Sequence, residues 1–307
     1  MIYITQGHER GIGLEVLFKS LLCLSANEQK KFKLFCFKTS AIKTLESLKI
    51  SYKVHTKEIE VGPASIACQF LTAEDNSSET MSSMLHALKI IKKQDILITL
   101  PSSKDAFVYH STRYGGHTEF FRKFYKKSEL AMLFYTEKFK CIVLSDHDPL
   151  TKVAGKLSQD FVYKKIKLCL KTKHPMLTNA KQYIFAGINP HAGEAGLIGS
   201  EDTTITGAIE QLKLEFKDVE FIGPLSGDTL FFKNNPDALL VYTFHDQGLG
   251  VFKSQNGLLG INATVGLPFV RLSVDHGTAF ELFGKNLANY QGCLYQLKAA
   301  LTLSRKK

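Results

Sequence analysis

Short apolar runs rich in strand-forming residues alternate with helix-forming stretches along almost the whole chain. The run MIYIT is followed by GIGLEVLFKSLLCLSA, KFKLFCF by AIKTLESLKI, and QYIFAG by EDTTITGAIEQLKLEF. Strands that alternate with helices are typical of α/β folds, in which crossover helices connect parallel strands. The pattern therefore predicts an α/β protein with a largely parallel sheet.

The length of 307 residues is sufficient for about two domains, but no repeat or linker separates them. A second lobe would therefore form where the chain leaves one sheet and later returns to it. The apolar runs are too short to cross a bilayer, and the first residues lack a signal-peptide pattern. We expect a cytoplasmic protein that does not enter the membrane.

The cysteines and the net charge indicate which cellular compartment and which class of ligand the sequence favours. No two of the six cysteines have CxxC spacing, so we expect buried free thiols in a reducing compartment. The net charge of +10 comes from lysines spread over helical stretches, without a nucleic-acid-binding motif. This distribution favours anionic metabolites over nucleic acid as ligands.

Four histidines share a context that suggests a binding site. His117, His147, His191 and His245 each border an apolar run and lie beside Gly, Pro or Asp. Loops at strand ends line clefts in open α/β folds, and three neutral imidazoles from separate loops suit a catalytic divalent cation. A structural hydrogen-bonding role is the alternative for each histidine, and the spacing alone leaves both open.

The motifs around these histidines resemble those of the 4-hydroxythreonine-4-phosphate dehydrogenase family. They are ITQGHERGIGLE, YGGHTEFF, GINPHAGEAGLIGSED, FHDQGLGVFK and GINATVGLPFVRLSVDHGTAFELFGK, in this order. The resemblance extends from residue 2 to about residue 300 and is most specific in NPHAGE, HDQGL and VDHGTA.

The resemblance implies a two-lobed α/β/α subunit related to the isocitrate and isopropylmalate dehydrogenases. It also implies a homodimer whose active-site cleft lies between the lobes at the subunit interface. We expect residues 1–120 and 246–307 to form the first lobe. Residues 121–245 would form the second lobe and make the dimer contacts.

The implied activity is the oxidation of 4-phosphooxy-L-threonine at C3 with NAD or NADP. The keto acid produced would lose carbon dioxide to give 3-amino-2-oxopropyl phosphate, in pyridoxal 5′-phosphate (vitamin B6) biosynthesis. A divalent cation, which could be zinc, magnesium or cobalt, would assist both steps.

The resemblance assigns roles to individual residues. The predicted metal ligands are His147, His191 and His245. The predicted substrate-binding residues are His117, Thr118, Lys253, Asn262 and Arg271, with Lys253 on a strand that follows the His-Asp-Gln-Gly corner. Arg271 and Lys253 have the charge needed for a phosphorylated acid.

Other candidates have an alternative role. Asp275 and His276 would begin a helical segment whose backbone N–H groups bind a phosphate of the nicotinamide cofactor. Lys104 is a candidate catalytic residue, although a surface salt bridge explains it as well. Asp246 is the second candidate catalytic residue, and it could orient an imidazole or cap a turn. The general base is not identified.

The chain departs from the family pattern at three places, one of which is the glycine that follows HDQGL where a proline is usual. The N-terminal motif GHERGIGLE lacks the acid and both prolines of the usual Gly-Asp-Pro-Ala-Gly-Ile-Gly-Pro-Glu. SDHDPL stands where the family tends to have Thr-Thr-His-Leu-Pro-Leu, so acids at 146 and 148 flank His147. We expect these acids to raise the basicity of His147.

Three other functions fit the same residues. A dehydrogenase for a related phosphorylated hydroxy acid, such as a tetronate phosphate, would share the metal-binding and phosphate-binding side chains. A metal-dependent hydrolase would use the histidines to activate water and would not need NAD. A phosphometabolite-binding protein would be stabilised by its ligand without turning it over.

Overall fold

The computed structural model describes residues 1–72 and 77–305. The strands are β1 Ile2–Thr5, β2 Phe32–Phe37, β3 Tyr52–Val54, β4 Glu58–Val61, β5 Ala64–Leu71, β6 Ile96–Thr99, β7 Val108–Tyr109, β8 Thr112–Arg113, β9 Ala131–Tyr135, β10 Lys140–Val143, β11 Gln182–Ala186, β12 Glu220–Leu225, β13 Ala238–Tyr242, β14 Ile261–Val265 and β15 Val270–Val274. The helices are α1 Gly13–Leu21, α2 Ala26–Gln29, α3 Lys38–Leu48, α4 Glu79–Ile90, α5 His117–Phe124, α6 Leu150–Lys156, α7 Gln159–Thr172, α8 Asp202–Glu215, α9 His245–Asn256 and α10 Gln291–Arg305. Short 3-10 helices cover Lys104–Ala106, Leu230–Lys233 and Phe280–Leu282, and Pro190–Gly196 forms a tightly coiled segment with non-helical backbone angles inside it.

The chain divides into two compact units, Met1–Lys126 with Leu267–Lys307, and Lys127–Gly266. The sheet of the first unit has the strand order β15-β6-β1-β2-β5-β4-β3. Its strands are parallel from β15 to β5, and β4 and β3 add an antiparallel edge. Strand β1 lies in the middle, and its Ile2 and Ile4 are fully buried. Burial on both faces explains why these strands are nearly continuous apolar runs.

The sheet of the second unit has the order β12-β11-β13-β10-β9-β14. Strands β12, β11, β13 and β10 are parallel, whereas β9 pairs antiparallel with β10 and with β14. All five residues of β13 are buried, and α9 packs against both β13 and β10. The predicted α/β class with a largely parallel sheet is confirmed.

The observed units and the predicted lobes differ most in residues 246–266. These residues lie in the second unit, whereas the sequence placed them in the first lobe. The physical reason is that α9 covers β10 and β13, and that β14 pairs along its whole length with β9. Such pairing between distant segments leaves no local mark in the sequence.

One smaller expectation is corrected by the structure. Cys23 is exposed, whereas the other five cysteines are buried as predicted. Helix α4 begins where the Ser78 hydroxyl accepts a hydrogen bond from the Met81 N–H at 3.1 Å. Within residues 1–72 and 77–305, no helix combines the length and the apolar composition that a membrane span requires.

Gly7 allows the chain after β1 to approach residue 101 closely. A Cβ at Gly7 would lie 2.0 Å from the carbonyl oxygen of Pro101, which accepts a hydrogen bond from the His8 N–H at 3.0 Å. We expect Gly7→Ala to lower the free energy of unfolding by about 1–3 kcal/mol, because the backbone must move apart. Urea denaturation followed by circular dichroism measures this change.

Gly155 provides the matched control, because a Cβ there would meet no atom within 4 Å. Since Gly155 lies in α6, Gly155→Ala should leave stability unchanged or raise it by about 0.5–1 kcal/mol. Equal stability of the Gly7→Ala protein and the wild type would contradict the close approach.

Candidate active site

Three of the predicted site histidines follow the carboxyl ends of three neighbouring parallel strands. His147 follows β10, His191 follows β11, and His245 follows β13, which lies between the other two strands. Because the carboxyl ends of parallel strands meet at one edge of a sheet, the fold directs all three loops to the same edge. We call the three loops that carry these residues the histidine edge.

His147 and His245 are brought together by the extension of strand pairing beyond β10. The N–H of Leu144 donates to the carbonyl of Tyr242 at 2.9 Å, and the N–H of Ser145 donates to that of Thr243 at 3.1 Å. The two chains therefore leave the sheet side by side, and the ring centres of His147 and His245 are 5.0 Å apart.

The separation of these two rings is compatible with shared coordination of one cation. Two imidazoles bound tetrahedrally to a zinc ion have ring centres about 5 Å apart, because each nitrogen lies about 2 Å from the metal. Nδ1 of His245 lies 2.7 Å from Oδ1 of Asp246. A carboxylate at one ring nitrogen fixes the tautomer and leaves Nε2 available as a ligand atom.

His191 has a different local environment. It begins five consecutive residues with positive φ, from His191 to Ala195, with φ values of 52, 52, 79, 43 and 56°. Within the described parts of the chain, no three His, Cys, Asp or Glu side chains are grouped closely enough to hold a metal ion. The structure thus pairs two of the predicted ligands, and the three-histidine site stays a prediction.

Asp202, which the sequence analysis did not single out, holds the loop that leads to His191. Its carboxylate accepts hydrogen bonds from the backbone N–H groups of Ile188 at 2.7 Å and Asn189 at 3.3 Å, and from the Asn189 amide at 3.0 Å. Asp202 is 5% exposed, so these bonds are shielded from water. The position of Asp202 in EDTTITG, at the start of a helix, was the sequence feature that could have identified it as a residue that binds backbone N–H groups.

Gln247 connects the loops after β13 and β11. Its Oε1 accepts hydrogen bonds from the backbone N–H and the hydroxyl of Thr243, at 2.9 and 2.8 Å. Its Nε2 donates to the carbonyl of Gly187 at 2.8 Å. The glutamine of the HDQGL motif therefore ties the segment before His245 to the segment before His191.

The acids on either side of His147 are engaged by lysines. Asp146 forms an ion pair with buried Lys165, and Asp148 forms one with Lys156. The sequence suggested that both acids would act directly on the basicity of His147. In the structure each carboxylate also pairs with a lysine, and the effect of the two acids on the basicity of His147 stays a prediction.

Lys253 and Asn262 are also in the second unit. Lys253 is exposed on α9, two turns after His245, so the prediction that a strand carries it is wrong. Leu249 and Phe252 explain the helix, because both are buried on the face that packs against the sheet. Asn262 is half-buried on β14. Their roles in substrate binding stay predictions.

In the first unit, His117 and Thr118 begin α5, and Arg271 lies on β15. The Arg271 side chain is buried, donates from Nε and Nη2 to the Thr99 hydroxyl at 3.1 and 2.6 Å, and lies 5.9 Å from the Phe121 ring centre. Burial lowers the pKa of Arg271 to about 9, so the guanidinium remains cationic at neutral pH.

His117 is held neutral by the same surroundings. Its ring centre lies 4.6 Å from that of Phe107 and 6.4 Å from that of Phe121. Burial, followed by the charge of Arg271, lowers the pKa of His117 well below its ordinary value. A neutral imidazole beside a buried guanidinium provides both a hydrogen-bonding group and a positive charge for an anionic ligand.

The remaining candidates of the first unit lie in loops. Lys104 is exposed in the 3-10 helix Lys104–Ala106. Asp275 and His276 follow β15 in a bend, and Nδ1 of His276 lies 2.9 Å from the carbonyl oxygen of Gly277. The expected helical segment is only the 3-10 helix Phe280–Leu282. The predicted helix N-terminus for a cofactor phosphate is therefore not present at Asp275 and His276.

The pKa of His117 predicts how pH acts on the fold. The unfolded chain takes up a proton at this histidine near pH 6.5, whereas the folded chain does not until the pH is much lower. The contribution of His117 therefore makes the fold less stable as the pH falls below about 6.5. In an NMR titration, we expect the His117 ring resonances to change only at a pH well below that at which an ordinary histidine titrates.

Phe107→Ala tests the cause of this behaviour. Removal of the aromatic ring admits water to His117, so the pKa of His117 should rise towards its ordinary value and its titration should move to higher pH. An unchanged His117 titration in this variant would mean that Phe107 does not desolvate the ring.

Comparisons with known proteins agree with the motifs. A family model described as "Pyridoxal phosphate biosynthetic protein PdxA" matches residues 19–300. A 4-hydroxythreonine-4-phosphate dehydrogenase of Sulfurimonas denitrificans is 30% identical over 316 residues, covering 99% of this chain and 98% of the relative. A D-threonate 4-phosphate dehydrogenase of Cupriavidus necator is 35% identical over 225 residues, covering 72% of this chain and 67% of the relative.

Solved structures show the same relationship at the level of the fold. The crystal structure of a 4-hydroxythreonine-4-phosphate dehydrogenase from Klebsiella pneumoniae superposes with a TM-score of 0.76 at 27% identity, covering 99% of this chain and 98% of the other. An isocitrate dehydrogenase from Methylococcus capsulatus superposes with a TM-score of 0.50 at 12% identity, covering 99% of this chain and 87% of the other. The predicted relation to the isocitrate dehydrogenase fold is thereby confirmed.

Proposed function

The chain belongs to the PdxA family, as its motifs predicted, and from this premise we propose that it oxidises 4-phosphooxy-L-threonine at C3. Hydride passes from C3 to NAD or NADP, and the hydroxyl proton is released. The 2-amino-3-oxo-4-phosphooxybutanoate formed loses carbon dioxide to give 3-amino-2-oxopropyl phosphate. This reaction belongs to pyridoxal 5′-phosphate biosynthesis.

The family implies a nicotinamide cofactor and a divalent cation. When bound, the nicotinamide ring accepts the hydride, and the cation withdraws electrons from the C3 oxygen during oxidation and decarboxylation. We propose His147 and His245 as cation ligands, with His191 as the third, and zinc, magnesium or cobalt as the cation. The 5.0 Å separation of the His147 and His245 rings supports this choice.

The chain's own groups would supply orientation and charge. Asp246 fixes the tautomer of His245 through its contact with Nδ1. We propose that Arg271 and the first residues of α5, His117 and Thr118, bind substrate anions through a buried guanidinium and helix N-terminal N–H groups. Lys253 and Asn262 are proposed as further substrate contacts, on the basis of the motifs alone.

D-threonate 4-phosphate is the second candidate substrate. The relative from Cupriavidus necator bears that activity in its name and is 35% identical over its matched region. The two substrates share the phosphate and the hydroxyl that is oxidised, and they differ at C2, which carries an amino group in one and a hydroxyl in the other. The residues proposed for the phosphate and the cation therefore do not separate them.

An NADH-production assay tests both substrates directly. We expect 4-phosphooxy-L-threonine to be oxidised with a kcat/KM at least about tenfold above that of D-threonate 4-phosphate, since a site built for one polar group discriminates against its replacement. Chelation should abolish turnover, and added zinc, magnesium or cobalt should restore it. His245→Ala should lower turnover by about 100-fold or more, in a protein that remains folded.

The controls separate the proposed reaction from the alternatives. Phosphate release without NAD would indicate a hydrolase. Stabilisation by the phosphorylated substrate without NADH formation would indicate a binding protein. A preference for D-threonate 4-phosphate would assign the chain to the second candidate, with the same cation site.

We also propose that the chain works as a homodimer whose partner covers the histidine edge. Leu150, three residues after His147, is 68% exposed, and Leu197, six residues after His191, is 85% exposed. Large apolar side chains at such exposure beside a binding site are typical of surfaces that another chain covers. We further propose a cytoplasmic location, where the free thiols would stay reduced.

Leu197→Asp is expected to weaken this dimer. A carboxylate at a buried apolar contact loses hydration without a partner, so light scattering should show a shift towards monomer at micromolar concentration. Turnover should fall with the dimer fraction. Leu214→Asp is the matched control, because Leu214 is 75% exposed on α8 and lies outside the three loops. A dimer of unchanged strength in Leu197→Asp would exclude Leu197 from the interface.

A further inference from the structure

A lysine occupies the buried face of α7. Val162, Lys165, Ile166 and Cys169 are the buried residues of this helix, and the Lys165 side chain is 0% exposed. An ammonium group without access to water persists in a folded protein only when nearby groups compensate its charge. The burial of Lys165 therefore indicates that specific groups around its ammonium compensate the charge.

The compensating groups come from two loops. The ammonium of Lys165 lies 3.2 and 3.3 Å from the two carboxylate oxygens of Asp146 and 3.3 Å from an oxygen of Glu129. It also lies 5.1 Å from the centre of the Phe161 ring. Contact with both oxygens of Asp146 fixes the direction of that side chain as well as its distance.

Asp146 is the residue immediately before His147, and its backbone is in the left-handed region with a φ of 52°. For a residue other than glycine this conformation needs support, although aspartate tolerates it better than most. With its carboxylate held by Lys165 on the buried side, Asp146 turns the chain at a fixed corner. His147 leaves this corner with its ring centre 5.0 Å from that of His245.

We propose that Lys165 is a positioning residue for His147, acting through its buried ion pair with Asp146. The pair sets the imidazole of His147 beside that of His245 before any cation binds. The inference rests on the proposed function in one respect, because it takes His147 and His245 as the cation ligands. It also gives a reason for the aspartate at 146, where the family pattern has a threonine.

The first experiment measures the ring contact without metal. In the full-length, metal-free protein with labelled histidines, we expect a nuclear Overhauser effect between the His147 and His245 rings. Lys165→Met should abolish it, because Asp146 loses the cation that fixes its corner. Lys164→Met should retain it, since Lys164 is the neighbouring lysine on α7 and pairs with Asp160 at the surface.

The second experiment measures cobalt affinity by calorimetry, below the unfolding temperature of each variant. Loss of an outer group that orients a metal ligand typically lowers affinity about 10–100-fold, and we expect a loss of this size in Lys165→Met. Lys164→Met should bind cobalt as the wild type does. A merely structural lysine would lower the unfolding temperature and leave both the ring contact and the cobalt affinity unchanged, which would overturn the proposal.

Asp146→Asn keeps the proposal testable if Lys165→Met does not fold. Asparagine tolerates positive φ, and Lys165 keeps Glu129 as a counter-charge, so this variant should fold. We expect a weakened ring contact and a smaller loss of cobalt affinity than in Lys165→Met. Wild-type values for both would overturn the proposal.

His147→Ala separates this inference from the proposed cation site. If His147→Ala binds cobalt as tightly as the wild type, the cation site is placed wrongly. The positioning of His147 by Lys165 would still be supported in that case by loss of the ring contact in Lys165→Met.

Discussion

Parallel pairing of β10, β13 and β11 is the constraint on which the rest of the second unit depends. It collects at one edge three loops that are about 45 and 55 residues apart along the chain, a separation that no local motif could bridge. The backbone hydrogen bonds from Leu144 and Ser145 to the end of β13 then continue the pairing of the two chain segments beyond the last residues of β10. The chemistry of the edge follows from this pairing, because it places the loops of His147, His191 and His245 side by side.

Three acidic side chains around that edge each have a nitrogen-containing partner. Asp146 faces Lys165, Asp148 faces Lys156, and Asp246 faces His245. The first pair is buried and the others are more exposed, so the first has the greater ability to fix geometry. Two further groups, Asp202 and Gln247, use hydrogen bonds to backbone atoms for the same purpose. The edge is therefore shaped largely by polar groups that would never touch a substrate.

The sequence predicted the parts of the molecule that have a local signature. The apolar runs gave the central strands, and the helix-forming stretches gave α1, α3 and α8, because such patterns depend on neighbours a few residues away. The motifs around His147, His191 and His245 identified the family. What the sequence could not supply was pairing between distant segments, such as β9 with β14, which moved residues 246–266 to the second unit. The helix that carries Lys253 was missed because Gly248 and Gly250 lower helix propensity, whereas burial of Leu249 and Phe252 outweighs it.

The left-handed turn from His191 to Ala195 limits which amino acids this part of the chain can accept during evolution. Side chains branched at Cβ are strongly disfavoured at positive φ, so valine, isoleucine and threonine are effectively barred from five neighbouring positions. The amino acids that remain acceptable at these positions are glycine, alanine and a few polar residues. Positions such as Ala192 and Gly193 would then stay unbranched in descendants of this gene even if His191 lost its function, because the backbone conformation alone excludes branched side chains there.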